Sequence, residues 1–212
     1  MSDRVEAHRV PAAAGHRGVL VWRWPVPVPA LSSAPVGGGF SQIDWVLNIG
    51  VASDYGRTDL AEHVGEVAAE LKLHGAGVAM FTAVDLSGLV SAECDGVSVD
   101  ATVGISHPTW AADSGAATKT AGVPGTINLV VQMPVALDPG AAVNAVITAT
   151  EAKAQALGDR GVPGTGTATD AVTVVWPSEG APERFAGPRS QWGSRLGQAV
   201  YRAVWAGAGP RD

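Results

Sequence analysis

Thr126-Ile127-Asn128-Leu129-Val130-Val131-Gln132-Met133, then Asp138-Pro139-Gly140-Ala141, then Asp170-Ala171-Val172-Thr173-Val174-Val175-Trp176: these three runs decide how the chain folds. The first and third are short, apolar and rich in β-branched residues, the mark of buried strands. The middle run offers a helix cap at Asp138 and a proline suited to a first turn, so the spacing predicts a helix reaching about Leu157. Strand, helix and strand in that order make a βαβ unit.

The same order occurs upstream. Ile43–Val51 reads as a strand, and Thr58 or Asp59 can cap a helix carrying Leu60, Ala61, Val64, Val67, Ala68 and Leu71 on one face. Gly75 ends that helix, and Gly77–Val84 reads as the returning strand. Each copy carries an Asn in its first strand (Asn48, Asn128), an Asp at the cap, glycines, and Thr-Ala-X-Asp, at Thr82–Asp85 and Thr167–Asp170. The pattern suggests an internal βαβ-type duplication, with Asp85 and Asp170 as equivalent residues. Outside the two units, Val19–Trp24 reads as a strand ending at Pro25-Val26-Pro27-Val28-Pro29, which must be extended or an edge. Gly37-Gly38-Gly39 allows a close backbone turn. Val97–Ile105 reads as a further strand and Trp192–Trp205 as a last helix with Leu196, Val200 and Val204 inward. The expectation is one α/β domain over residues 1–212, a mixed sheet flanked by helices, with residues 1–18 and 207–212 at its periphery.

The bulk properties agree. The chain has 212 residues, 46% hydrophobic and 16% charged, and a mean hydropathy of +0.16, which suits a single large core. A net charge of −6, with Arg184, Arg189, Arg195 and Arg202 scattered, offers no surface for nucleic acid. The amino-terminal residues lack a basic segment followed by an apolar run, and the apolar stretch Ile43–Ala52 is too short to cross a bilayer. A soluble, cytoplasmic protein is expected. With one cysteine, Cys94, no intrachain disulfide can form, and its neighbours Glu93 and Asp95 oppose a thiolate nucleophile. The histidines (His8, His16, His63, His74, His107) show no metal-binding spacing, so neither a zinc site nor a cofactor is expected; a carboxylate-bound Mg²⁺ stays open. There is no Gly-x-Ser-x-Gly elbow, and the glycine-rich Gly164–Asp170 segment lacks the lysine of a phosphate loop.

Two segments carry unusual chemistry. On the long helix, 100° per residue places Val143, Val146, Ile147, Thr150, Ala154 and Leu157 in one apolar stripe. Glu151 lies at one edge of it, beside Asn144, Thr148 and Gln155; Lys153 lies at the other, roughly 160° away. Glu151 is taken as the cleft side, since its neighbours are polar and uncharged. The second segment is the loop Gly164-Thr165-Gly166-Thr167-Ala168-Thr169 ending at Asp170. Its backbone N–H groups can hold an oxyanion, its threonines add hydroxyls, and Asp170 can take a proton. The two acidic groups are expected to converge on one pocket. Trp45 and Trp110 are placed at loop ends as flat platforms, while Trp176, Trp192 and Trp205 read as core.

Taken in order, Gly37–Gly39, Asn48, Met80–Asp85, Thr102–Ser106, Thr126–Asn128, Asp138–Ala141, Ile147–Lys153, Gly164–Asp170 and Phe185–Pro188 resemble the adenosylcobinamide amidohydrolase family from about Gly37 onward. The chain departs at Ser106-His107-Pro108, where members more often carry Ser-Asn. The resemblance implies hydrolysis of the amide that joins the aminopropanol arm of adenosylcobinamide. The products are adenosylcobyric acid and aminopropanol, in corrinoid salvage toward coenzyme B12, with the corrinoid as substrate and not cofactor. Catalysis is then assigned to Asp170, Glu151, Thr167 and Thr169. Substrate contacts are assigned to Asn48, Asp85, Asn128, Asn144, Gly164, Thr165, Gly166 and Trp110. Asn128 and the loop N–H groups would hold the tetrahedral intermediate, and direct attack by water is favoured over a threonine nucleophile because no histidine stands as its partner. A corrinoid carrier without hydrolysis, or an amidase on another substrate, is the alternative. Expected partners are a corrinoid and, as an open alternative, a second copy of the chain, with neither nucleic acid nor membrane.

Overall fold

The computed structural model describes residues 4–113 and 125–209. Its elements run β1 (His8–Val10), β2 (Val19–Ser32), β3 (Gly39–Gly50), α1 (Leu60–Glu70), β4 (Gly77–Thr82), a short 3₁₀ turn (Leu86–Gly88), β5 (Val90–Cys94), β6 (Val97–Val103), β7 (Ile127–Gln132), α2 (Pro139–Asp159), β8 (Ala171–Val175) and α3 (Gln191–Gly207). The strands form one mixed sheet in the order β4-β3-β2-β8-β7-β6-β5, with β1 alongside β2.

The topology repeats. β1, β2 and β3 pair antiparallel in succession, then α1 leads to β4, parallel to β3; β5, β6 and β7 pair antiparallel in succession, then α2 leads to β8, parallel to β7. Each half is therefore the same five-element unit. The residue equivalence proposed from the sequence does not survive: Asp85 follows the last residue of β4, whereas Asp170 precedes the first residue of β8. The two Thr-Ala-X-Asp motifs sit at opposite ends of corresponding strands.

β2 joins the halves. One side of it pairs with β3; the other pairs with β1 at Val19–Val21 and with β8 at Ala30–Ser32. Between Arg23 and Val28 its register against β3 shifts. Pro25 and Pro27 lie in that gap, where their missing N–H groups would otherwise break the ladder. The sheet folds over along this strand, so that the inner faces of the halves meet. Leu20, Trp22, Val46, Val78 and Met80 pack with Val130, Ala171 and Val175. On the outer faces, α1 covers Val19, Val21, Leu47 and Ile49, while α2 and α3 cover β6, β7 and β8. Each fully buried aliphatic side chain contributes about 1.5–3 kcal/mol, so the three clusters supply most of the driving force.

Three expectations change. The buried face of α2 is its alanine face (Ala141, Ala142, Ala145, Ala149, Ala152, Ala156), whereas Val143 and Ile147 are 44% and 48% exposed. Small side chains let this helix lie close to the sheet and to α3, and packing overrides the hydrophobicity ranking. Trp45 is buried in the α1 core instead of standing at a loop end. Residues 4–10 are not loosely peripheral: β1 joins the sheet, Val5 exchanges hydrogen bonds with the Gln132 side chain (3.0 and 2.7 Å), and Arg4 reaches the buried Asp100 at 2.7 Å.

Candidate functional site

The fold-over brings the ends of β3 and β4 against the starts of β7 and β8. At this end Asn128 donates its two amide hydrogens to Asn48 Oδ1 (2.9 Å) and the Phe81 carbonyl (3.0 Å), and Asn48 donates to Thr102 Oγ1 (2.9 Å). The Phe81 carbonyl is an unambiguous acceptor, which fixes how the Asn128 amide is turned. Asn48 and Asn128, paired by their place in the repeated sequence order, thus meet directly. Both Asn128 amide hydrogens are thus taken, and Asn128 Oδ1 is buried without a partner among the described residues. Asn128 is therefore not arranged as an oxyanion donor.

Beside this pair, two loops zip together. Thr109 donates to the Gly166 carbonyl (2.8 Å), Thr165 donates to the Thr109 carbonyl (2.8 Å), and the Ala111 N–H reaches Thr165 Oγ1 (3.1 Å). The approach needs glycine, since a Cβ on Gly164 would lie 2.7 Å from the Thr109 carbonyl oxygen. Trp110, held between these contacts, is 55% exposed.

Asp170 is the hub. Its Oδ1 accepts from the Ile127 N–H (2.9 Å) and the Thr167 hydroxyl (2.5 Å); its Oδ2 accepts from the Thr167 N–H (3.0 Å) and the Lys153 ammonium. Four donors leave the carboxylate fully engaged. Lys153 and Asp170 side chains are 8% and 10% exposed, so this is a buried ion pair. Nearby, the Thr126 and Thr169 hydroxyls lie 2.6 Å apart. Ala168 and Thr169 are exposed, and their backbone N–H groups have no intramolecular acceptor among the described residues.

Asn48, Asn128, Trp110, Gly164, Thr165, Gly166, Thr167, Thr169 and Asp170 therefore gather at one end of the molecule. Two assigned residues, Asn144 and Glu151, do not join them, and Asp85, just past the end of β4, has its bonding partners elsewhere. Asp85 caps the 3₁₀ turn through the Ser87 N–H (2.9 Å) and hydroxyl (2.7 Å) and faces Arg9. The Ser87 backbone hydrogen bond, first, holds its carboxyl below the usual range. Asn144 is exposed on α2 and bonds the Gly140 carbonyl (3.0 Å). Glu151 lines a groove of about 620 Å³ between α2 and α3 with Thr148, Gln155, Gln198 and Arg202. The expected convergence of Glu151 with Asp170 fails because residues 151 and 153 leave the helix on different faces, and it is Lys153 that faces Asp170. Sequence reasoning missed Lys153 and Thr126. The signal for Lys153 was its place one residue past Ala152, on the alanine face.

A family model described as adenosylcobinamide amidohydrolase matches residues 2–211. A protein of Methanosarcina mazei named adenosylcobinamide amidohydrolase is 28% identical over 184 residues, covering 82% of this chain and 88% of its own length. A protein of Halobacterium salinarum with the same name is 32% identical over 187 residues, covering 82% of this chain and 78% of its own length.

Proposed function

Since the chain belongs to the adenosylcobinamide amidohydrolase family, we propose that it hydrolyses the amide joining the aminopropanol arm of adenosylcobinamide to the corrinoid. The products are adenosylcobyric acid and aminopropanol, and the setting is corrinoid salvage in the cytoplasm. Among the described residues no helix is long and apolar enough to cross a membrane, which is compatible with that setting.

The observation that carries the chemical reading is the 2.5 Å hydrogen bond from the Thr167 hydroxyl to Asp170 Oδ1. A carboxylate already holding four donors can admit a water only by losing one of them, whereas the Thr167 proton needs no rearrangement to reach it. Thr167 Oγ1 attacks the amide carbonyl as its proton passes to Asp170. The N–H groups of Ala168 and Thr169 receive the oxyanion, and the departing amine takes the proton back. Water then opens the threonyl ester, again losing a proton to Asp170, which returns it to Thr167. Trp110 offers an exposed flat face to the corrin ring, whose breadth suits an aromatic contact. A positioned base supplies roughly 10²–10⁴ in rate and an oxyanion donor roughly 10²–10³; their product, with orientation of the amide, reaches the scale enzymes need.

Incubation of the protein with adenosylcobinamide, followed by mass spectrometry, should show adenosylcobyric acid. T167A and D170N should each lower turnover at least about 100-fold, while E151Q, in its separate groove, stays near the parent rate. Near-normal turnover in both T167A and D170N would remove the assignment. A bound corrinoid without product would make the protein a carrier.

A further inference from the structure

Lys153 reaches the loop from α2, and its surroundings are those of a charge kept in reserve. Its three N–H donors meet one acceptor among the described residues, Asp170 Oδ2, and its side chain is 8% exposed. A Cβ at Gly166 would run into both members of the pair. An ammonium and a carboxylate buried together are neutral as a unit, and stay so only while the carboxylate keeps its charge. The other oxygen of that carboxylate is the one that receives the Thr167 hydroxyl. Once the Thr167 proton has crossed, Asp170 is neutral, the negative charge sits on the substrate oxygen, and the ammonium, itself shielded from water, is left without its partner. Coulomb attraction at low effective dielectric then acts between the ammonium and that oxyanion.

We infer that Lys153 is the positioning cation of this reaction: it pairs Asp170 in the resting protein and offsets the oxyanion after proton transfer. The inference rests on the reading of Thr167 and Asp170 given above and deepens it. In the first step the Oγ1–C bond forms, the carbonyl π pair moves onto oxygen and the hydroxyl proton moves to Asp170. In the second the C–N bond breaks and that proton leaves on the amine. Lys153 keeps its three protons throughout.

The test compares K153M, of similar length and uncharged, with K153A assayed with added methylammonium chloride or ethanol. K153M should lower kcat about 100-fold or more while KM for adenosylcobinamide stays within about threefold, with a cooperative melt retained. K153A should regain at least about tenfold with methylammonium and nothing with ethanol, because only the former restores charge as well as volume. A kcat for K153M within about threefold of the parent overturns the inference. So does equal rescue by ethanol, or failure of both variants to fold, each of which reduces Lys153 to packing. T167A and D170N, measured in parallel, separate the two failures: if they are inactive while K153M is active, the role of Lys153 falls and the reaction stands; if they are active, the reaction reading falls first.

Discussion

A side chain on Gly166 would collide with Asp170 and Lys153, so the ion pair requires a glycine there for space and not for backbone freedom. G166A should therefore separate the pair, lowering kcat at least about tenfold and destabilising by about 1–3 kcal/mol, as overpacking does. Urea unfolding and turnover measured together would check it, and unchanged values in both would show that the loop yields. At this scale the sequence was partly legible. Gly164–Asp170 marked a candidate site by placing glycines, threonines and one carboxylate in a single turn, and in the fold Thr167 hydrogen-bonds that carboxylate. What the carboxylate pairs with was not legible. Lys153 lies 17 residues away along the chain, and only the packing of α2 on the sheet carries it to Asp170.

The helix α2 makes the element-scale argument. Its period was readable, its cap position was readable, and its buried face was misjudged. A hydrophobicity ranking puts valine and isoleucine inside, but a helix wedged between a sheet and α3 buries the face that permits close approach, and here that face is alanine. Replacing Ala149, fully buried, by leucine should cost about 1–3 kcal/mol through overpacking. Gly158 in the same helix has open space around its missing Cβ, so G158A should add about 0.5–1 kcal/mol by reducing chain entropy in the unfolded state. Chemical denaturation of the two variants gives opposite signs if the face is assigned correctly; destabilisation by G158A would contradict it. The same rotation explains Glu151: its neighbours Thr148 and Gln155 were correctly placed beside it, but that edge looks toward α3.

At the scale of the molecule, the fold-over along β2 places Asp100 of one half against Trp22 of the other, where the indole N–H donates to it at 2.8 Å. Arg4, its side chain 31% exposed, closes the same carboxylate from the amino-terminal segment at 2.7 Å, and Ser91 adds a hydroxyl. A carboxylate 1% exposed needs these donors, so the segment beginning at Arg4 helps to hold the halves together. R4A should lower stability by about 1.5 kcal/mol, the low end for a hydrogen bond to a charged group given the partial exposure of the arginine. Urea unfolding would register this as a lower midpoint with unchanged slope; an unmoved midpoint would assign the contact no weight.

By itself the sequence determined the fold class, the two βαβ units, the positions of most strands and helices, and the family resemblance, because periodicity, caps and ordered motifs are local properties of the chain. It also marked Asn48 and Asn128 as counterparts, and they hydrogen-bond to each other. Only the tertiary structure decided that Asp85 and Asp170 stand at opposite ends of their strands, that the inner faces of the halves meet, and that Lys153 and not Glu151 contacts Asp170. Those outcomes depend on which way a helix face turns and where a strand bends. Both are set by the volume of side chains distant along the chain, which no local pattern records.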